Sequence, residues 1–373
     1  MTSQARTGGD VSKSRHRRAG RTAAVAGALG IALLAAACSS SGGSSGGSGS
    51  GAATINGAGS TFAAPMYQQW AGEYNSKVNK NVQINYQAIG SGGGISEFTQ
   101  GIVDFGATDA PMSANEQSAA QSSQGSTVLH LPMILGAVAI IYNLPGVSKL
   151  TLDGPALASI YLGKITKWND PAIKKLNPGV TLPSAAIQPV QRADSSGTSY
   201  VVTSYFSAIS PAWASQVGVS KAPSWPTGTG ATGSSGVAAA VSQTKDSIGY
   251  VELGYATSGK IPFASLMNAS GKAVAPSTTS VEAAAAGATL PTDITALKLN
   301  LVNQPGAGAY PLSTATYILV AQAQKDANKG KALKAWLLWC LKSPQQAEST
   351  KLNYAPLPTA LDKLVVSAVN SVK

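Results

Sequence analysis

Three times along this chain a β-type run gives way, through a turn of Gly, Ser and Thr, to a segment with helical periodicity. Thr54-Ile55-Asn56 leads into Gly57-Ala58-Gly59-Ser60-Thr61, after which Phe62, Met66, Trp70 and Tyr74 recur four apart on one helix face. Val82, Ile84, Tyr86 and Ala88 alternate with polar residues as a strand does. Gly90-Ser91-Gly92-Gly93-Gly94 follows, and Ile95–Ile102 reads as a helix. Val180–Val190 leads a strand into the loop Gln191-Arg192-Ala193-Asp194-Ser195-Ser196-Gly197-Thr198-Ser199, and Tyr200–Phe206 opens an apolar helical run. Strands alternating with helices predict an α/β fold. In open α/β sheets the carboxyl ends of strands are where ligands are held, so loops far apart in sequence can face one cleft.

The rest of the chain continues the alternation. Val103–Asp109 reads as a short buried strand, with Pro111 forcing the exit. Leu131–Asn143 is a long apolar run, expected as a central strand. Pro155–Leu162 and a short segment near Pro171 read as helices, Ser224–Gly236 as a loop, Val237–Gln243 as a helix and Ser247–Glu252 as a strand. Ser280–Gly287 is an Ala-rich helix, Pro311–Ala321 a strand, and Lys331–Lys342 a helix whose spacing makes Cys340 a buried core thiol.

The Arg192 loop concentrates donors suited to a small oxyanion. Arg192 offers a planar fork of N–H groups. Ser196, Thr198 and Ser199 offer hydroxyls, and Gly197 permits close backbone approach. The segment stands where a helix N-terminus presents free N–H groups and the positive end of its dipole. The same residues would equally make a capped helix whose Arg pairs locally with Asp194. Six Arg occur in all, and five of them (Arg6, Arg15, Arg17, Arg18, Arg21) precede Cys38, so Arg192 is the only one in the body of the chain. Asp109 is the odd member. A carboxylate repels an anion unless the ligand carries its own proton, because an ionised carboxylate only accepts hydrogen bonds. Monohydrogen phosphate can donate to it and sulfate cannot, which would let Asp109 reject sulfate. An Asp that merely caps a turn fits the sequence as well.

Composition excludes several function classes. The formal charge is +11, but six cations and one acid lie before Cys38, which leaves a dispersed +6. There is no Lys/Arg tract of the kind a nucleic-acid groove uses. His is reduced to His130 beyond the leader, so a His-based metal cluster is excluded and no nucleophile–base pair is visible. The glycine-rich turn at Gly90 is no P-loop, because no Gly-Lys-Ser/Thr closes it. No cofactor and no metal are expected, and the chain does not read as an enzyme.

The N-terminus reads as an address. Residues 1–37 carry a basic stretch, Lys13–Arg21, and a sixteen-residue apolar stretch, Thr22–Ala37. That is shorter than the roughly 20 residues a spanning helix needs. Ala35-Ala36-Ala37-Cys38 follows, which looks like a bacterial lipobox with Ala35 where Leu is commonest; Cys38 would become the lipidated N-terminus. Residues 38–53 are a Ser/Gly-rich flexible tether.

Taken together, the motifs resemble a known family. Gly57-Ala58-Gly59-Ser60-Thr61-Phe62, Ile89-Gly90-Ser91-Gly92-Gly93-Gly94, Asp104–Pro111, Tyr161-Leu162-Gly163-Lys164-Ile165, Arg192–Ser199 and Ile248-Gly249-Tyr250-Val251-Glu252 are similar, in the same order, to the phosphate-binding proteins of bacterial high-affinity phosphate ABC transporters, the PstS family. The resemblance runs from about Thr54 to the C-terminus. It implies a type II periplasmic-binding-protein fold: two lobes, hinge strands and a ligand cleft, with lobe I at 54–133 plus 312–373 and lobe II at 134–311. It implies that Thr61 binds inorganic phosphate through its N–H and hydroxyl, Phe62 through its N–H, and Ser91 through both. Asp109 would take the phosphate proton, and Arg192 would bind the anion braced by Asp194. Ser196 would give a hydroxyl, Gly197 an N–H, and Thr198 both. Ser60, Gly92 and Ser195 replace other small residues at positions that do not bind the ligand. The implied partners are phosphate, the membrane through the lipid on Cys38, and the permease subunits with their ATPase. The chain would act as a monomer on the extracytoplasmic face of the cell membrane. Another oxyanion such as sulfate or molybdate, or a sensing role for the lipoprotein, is the alternative.

Overall fold

The computed structural model describes residues 52–373; the signal segment, Cys38 and nearly all of the tether lie outside the described residues. The first strand already includes Ala53, one residue before the expected start. Among the described residues eleven strands follow one another: β1 Ala53–Gly59, β2 Val82–Ala88, β3 Phe105–Thr108, β4 Val128–Asn143, β5 Thr151–Leu152, β6 Gln188–Arg192, β7 Thr229–Ala231, β8 Ser247–Glu252, β9 Ser265–Met267, β10 Ala273–Val274 and β11 Ser313–Ala321. Eight form one sheet in the order β2-β1-β3-β11-β4-β8-β6-β7, and β10-β9-β5 form a small second one.

β4 organises the sheet. Its first part, Val128–Ala137, pairs antiparallel with β11, and its second part, Val138–Asn143, pairs antiparallel with β8. Fifteen of its sixteen residues are buried, which is why the sequence reads as a continuous apolar run rather than an alternation. β1, β2 and β3 are mutually parallel and reach β4 through β11; β6, β7 and β8 are mutually parallel and reach it directly. The pairing registers have a geometric consequence. β3 runs toward the end of β11 that faces Ala137, and β8 ends with Glu252 opposite Val138. The carboxyl ends of both parallel sets therefore converge on the middle of β4.

Two elements start earlier than their periodicity suggests. The second helix is Ser91–Thr99, so Gly92, Gly93 and Gly94 lie inside its first turn. Glycine disfavours helix by about 1 kcal/mol, but a Cβ at Gly94 would lie 2.4 Å from Gly59 Cα, and only glycine lets this helix seat on β1. Within the expected loop Ser224–Gly236 lie the edge strand β7 and the start of the helix Gly233–Gln243. Helices Ala114–Gln124, Leu253–Ser258 and Thr359–Asn370 complete the cover, with no sequence expectation attached to them. Cys340 is fully buried, as its helical position demands.

Candidate anion-binding site

Each strand end at the midline carries a polar turn. Ser60-Thr61-Phe62 follows β1, and Phe62 is fully buried with its ring against Gly136 of β4 and Tyr354. In this turn the carbonyls are taken, Tyr86 donating to Ser60 O, Tyr255 to Thr61 O and Tyr354 to Phe62 O, and the Ser60 N–H donates to Ala107 O, while the N–H groups of Thr61 and Phe62 take no protein acceptor among the described residues. Ser91 opens its helix after Gly90, which has φ +89° and where a Cβ would meet Asp194 Oδ2 at 2.5 Å. Asp109 follows β3. Arg192 is the last residue of β6, and Ser196 caps the helix Gly197–Ile209 by accepting the Ser199 N–H.

The turns touch one another. A Cβ at Gly197 would stand 2.5 Å from Ser91 Oγ and 2.7 Å from Asp109 Oδ2. Gly92 N–H donates to Ser195 O at 2.9 Å. Thr61 Oγ1 and Ser234 Oγ share a hydrogen bond of 2.9 Å, and Gly233 N–H donates to Asp194 Oδ1 at 3.0 Å. The structure thus brings all nine expected site residues, Thr61, Phe62, Ser91, Asp109, Arg192, Asp194, Ser196, Gly197 and Thr198, to one place, most of them buried.

Arg192 makes the local pair with Asp194 and keeps one edge of its guanidinium clear of it. Its Nε donates to Asp194 Oδ1 at 2.7 Å and its Nη2 to Oδ2, while its backbone N–H donates to Tyr250 Oη. Asp194 occupies one edge of the guanidinium, and no hydrogen bond among the described residues takes Nη1. Burial works to raise the Asp194 carboxyl, but the hydrogen bonds and charge of Arg192 outweigh it and hold the group below its ordinary value. Asp109 shows the opposite balance. Burial pushes it up to about 6 against the hydrogen bond from Ser60, the charge of Arg192 and the hydrogen bond from Ser91.

Around this point the donors outnumber their protein acceptors. Among the described residues, the backbone N–H groups of Thr61, Phe62, Ser91, Gly197 and Thr198 take no protein acceptor, and Thr198 Oγ1 is buried without a partner. Buried polar groups are almost always paired. A cluster of this kind, with an arginine edge and two helix N-termini, is suited to an anion. No group of three or more metal-ligating side chains occurs among the described residues. His130 is buried, accepts the Met112 N–H on Nε2, and is pushed down to about 3 by burial, then by Lys298, so it packs as a neutral ring.

A PBP superfamily domain matches residues 44–344. The phosphate-binding protein PstS of Xylella fastidiosa strain Temecula1 is 40% identical over 313 residues, 83% of this chain and 83% of the relative. That of Pasteurella multocida is 42% identical over 309 residues, 82% of this chain and 87% of the relative. The chain belongs to the PstS family. As a PstS-family member it has the two-lobed periplasmic-binding-protein fold. The high-affinity periplasmic phosphate-binding protein PfluDING, bound with phosphate at pH 8.5, matches with a TM-score of 0.71 and 23% identity over 84% of this chain and 93% of that one. A phosphate-binding protein from Stenotrophomonas maltophilia gives 0.67 and 22% over 85% and 94%. At such identities these likenesses carry the fold alone. PstS proteins bind rather than catalyse, and the site's chemistry agrees: it gathers donors and one acceptor around a point.

The structure adds residues that the sequence reading left without a role. Ser60 donates to Asp109 Oδ1 at 2.5 Å. Gly233 and Ser234 brace Asp194 and Thr61, and Tyr250 holds the Arg192 backbone and Ser199 Oγ. Thr232-Gly233-Ser234-Ser235 ahead of Val237 repeats the turn–hydroxyl–helix signature of the other loops, so that signal was available. Lys221 Nζ reaches Glu116 Oε2 at 2.7 Å, and Lys221 O accepts the Ser196 N–H.

Proposed function

We propose that the chain captures inorganic phosphate in this clasp and hands it to an ABC-transporter permease for import. The observation that carries the reading is the buried Asp109 carboxyl lying within reach of the Arg192 charge. A buried acceptor beside an arginine edge and a ring of N–H groups suits an anion that brings its own proton, which is monohydrogen phosphate rather than sulfate. The ligand set is Thr61, Phe62, Ser91, Asp109, Arg192, Ser196, Gly197 and Thr198, with Asp194 as brace.

The lobes are 54–133 with 312–373, and 134–311, hinged where β4 leaves β11 for β8. Support for that division comes from the change of partner at Ala137/Val138, close to the proposed boundary. Phosphate favours closure because it contacts both lobes only when they meet. The protein works as a monomer outside the cytoplasmic membrane, held by lipid on Cys38 after removal of residues 1–37. No helix among the described residues is long and apolar enough to cross a membrane.

Calorimetric titration of the purified protein, stripped of carried-over anion, tests the assignment at pH 7–8. Tight phosphate binding with no sulfate heat is expected. Binding of sulfate or molybdate instead would keep the fold and move the ligand to another oxyanion. Binding of neither would overturn the reading.

A further inference from the structure

Ser60 has every polar atom committed. Its N–H donates to Ala107 O at 2.9 Å, which clamps the end of β1 to β3, and its carbonyl accepts the Tyr86 hydroxyl at 2.7 Å. Its Oγ accepts the Ala63 N–H at 3.0 Å. With that lone pair used, the hydroxyl proton is aimed at Asp109 Oδ1, 2.5 Å away, and Ser60 is fully buried. The other carboxylate oxygen, Oδ2, accepts from Ser91 Oγ at 3.2 Å and faces Gly197. The two oxygens of Asp109 therefore have different jobs: Oδ1 is held by the protein and Oδ2 faces the Arg192–Thr198 loop.

We propose that Ser60 is a positioning residue that presents Asp109 Oδ2 to the ligand as an acceptor, and that it thereby sets the pH below which a fully ionised oxyanion is admitted. The proposal rests on the phosphate reading and deepens it. A hydrogen bond to the ionised form of a carboxyl favours that form. Without the Ser60 hydroxyl, Oδ1 becomes a buried unpaired carboxylate oxygen, and the group takes up a proton at higher pH. The acid form carries an O–H, can donate, and no longer discriminates against sulfate.

The surroundings leave Ser60 and Ser91 as the adjustable partners. Arg192 is the charged side chain acting on Asp109 from β6. Tyr67 on the first helix, Tyr86 on β2, Tyr255 after β8, Tyr317 on β11 and Tyr354 are all raised above their ordinary range by burial and stay neutral. Glu252, at the end of β8, is pushed up to about 8 by burial and is largely uncharged where Asp109 titrates.

Sulfate affinity against pH tests this directly, because sulfate itself does not titrate between pH 5 and 8. In the wild type, sulfate binding should emerge only as pH falls toward about 6, where burial puts the Asp109 carboxyl. In Ser60→Ala the same curve should move up by about one pH unit, so that the protonated fraction of Asp109 at pH 7, and with it sulfate affinity, rises about fivefold and selectivity for phosphate falls by about that factor. Ser60→Cys, close in size and a poor donor, should shift the curve in the same direction and serves if the Ala variant folds badly. A merely structural role would weaken both anions alike at every pH and leave the midpoint in place, and that result overturns the proposal. So does an unmoved sulfate curve in a variant that still binds phosphate. Failure of the wild type to bind phosphate would instead overturn the phosphate reading, whatever Ser60 does.

Discussion

Gly197→Ala adds one methyl group at the point where the loop after β6 meets the turns after β2 and β3. Gly197 has ordinary helical backbone, so the substitution costs nothing in φ, and in the first turn of a helix Ala is favoured over Gly by roughly 0.5–1 kcal/mol. The new Cβ, however, would lie 2.5 Å from Ser91 Oγ and 2.7 Å from Asp109 Cβ and Oδ2. Carbon does not sit that close to such atoms, and neither neighbour is the loose end of a long side chain. Overpacking of a tight site costs about 1–3 kcal/mol. Ser91 and Asp109 belong to one proposed lobe and Gly197 to the other, so the cost falls on closure and not on the folding of either lobe. Phosphate affinity should drop roughly 5- to 150-fold, while the melting temperature of the ligand-free protein is not lowered. Calorimetry and thermal unfolding on the same preparation separate the two. Affinity within twofold of wild type would refute the apposition of these loops in the bound state. A parallel fall in melting temperature would refute the claim that closure alone bears the strain.

Three further outcomes follow from the same geometry. Arg192→Ala removes a buried guanidinium, leaves the half-buried Asp194 without its partner, and should cost about 2–5 kcal/mol of phosphate affinity; wild-type binding by calorimetry would remove Arg192 from the site. Glu252, fully buried, is held near 8 against an ordinary 4.5, so the folded state keeps a proton that the unfolded state has lost, and stability falls as pH rises through that window. Between pH 6.5 and 8, where Asp109 is already mostly ionised and its contribution is common to both proteins, the wild type should lose about 2 kcal/mol more than Glu252→Gln in denaturant unfolding; parallel curves would show that Glu252 titrates normally. The Lys221–Glu116 pair joins the two proposed lobes, Glu116 on the first and Lys221 on the second, so it would act as a latch on closure; it is partly exposed, and such pairs contribute about 0.2–1 kcal/mol. Lys221→Ala should therefore weaken phosphate binding about 1.5- to 5-fold at low salt and by less at high salt, and a loss that is the same at both would count against an electrostatic latch.

What could be read from the sequence was what is local. Met66 and Trp70 recur at helical spacing because one face of the helix Ala64–Glu73 must be buried, while Phe62, expected on that face, lies in the turn before the helix and Tyr74 just past its end; Leu131–Tyr142 is apolar because β4 has neighbours on every side. The donors at Ser91 and Arg192–Thr198 were visible because hydroxyls and glycines gather in turns before helices. Ser91 reads from the sequence as standing at a helix start, as it does, but the helical run itself is legible only from Ile95, because propensity says nothing of the 2.4 Å approach between a Gly94 Cβ and Gly59 Cα, which is a tertiary fact. The same limit hid the supports of the site. Ser234 meets Thr61 across 173 residues, and Tyr255 meets it across 194. Ser60 was read as one small residue standing in for another, yet its hydroxyl is the nearest donor to Asp109. A sequence shows which groups could bind an anion; which oxygen of a carboxylate faces it depends on pairings that only the folded sheet makes. This is why the selectivity of the site should prove more sensitive to Ser60 than its position outside the ligand set suggests.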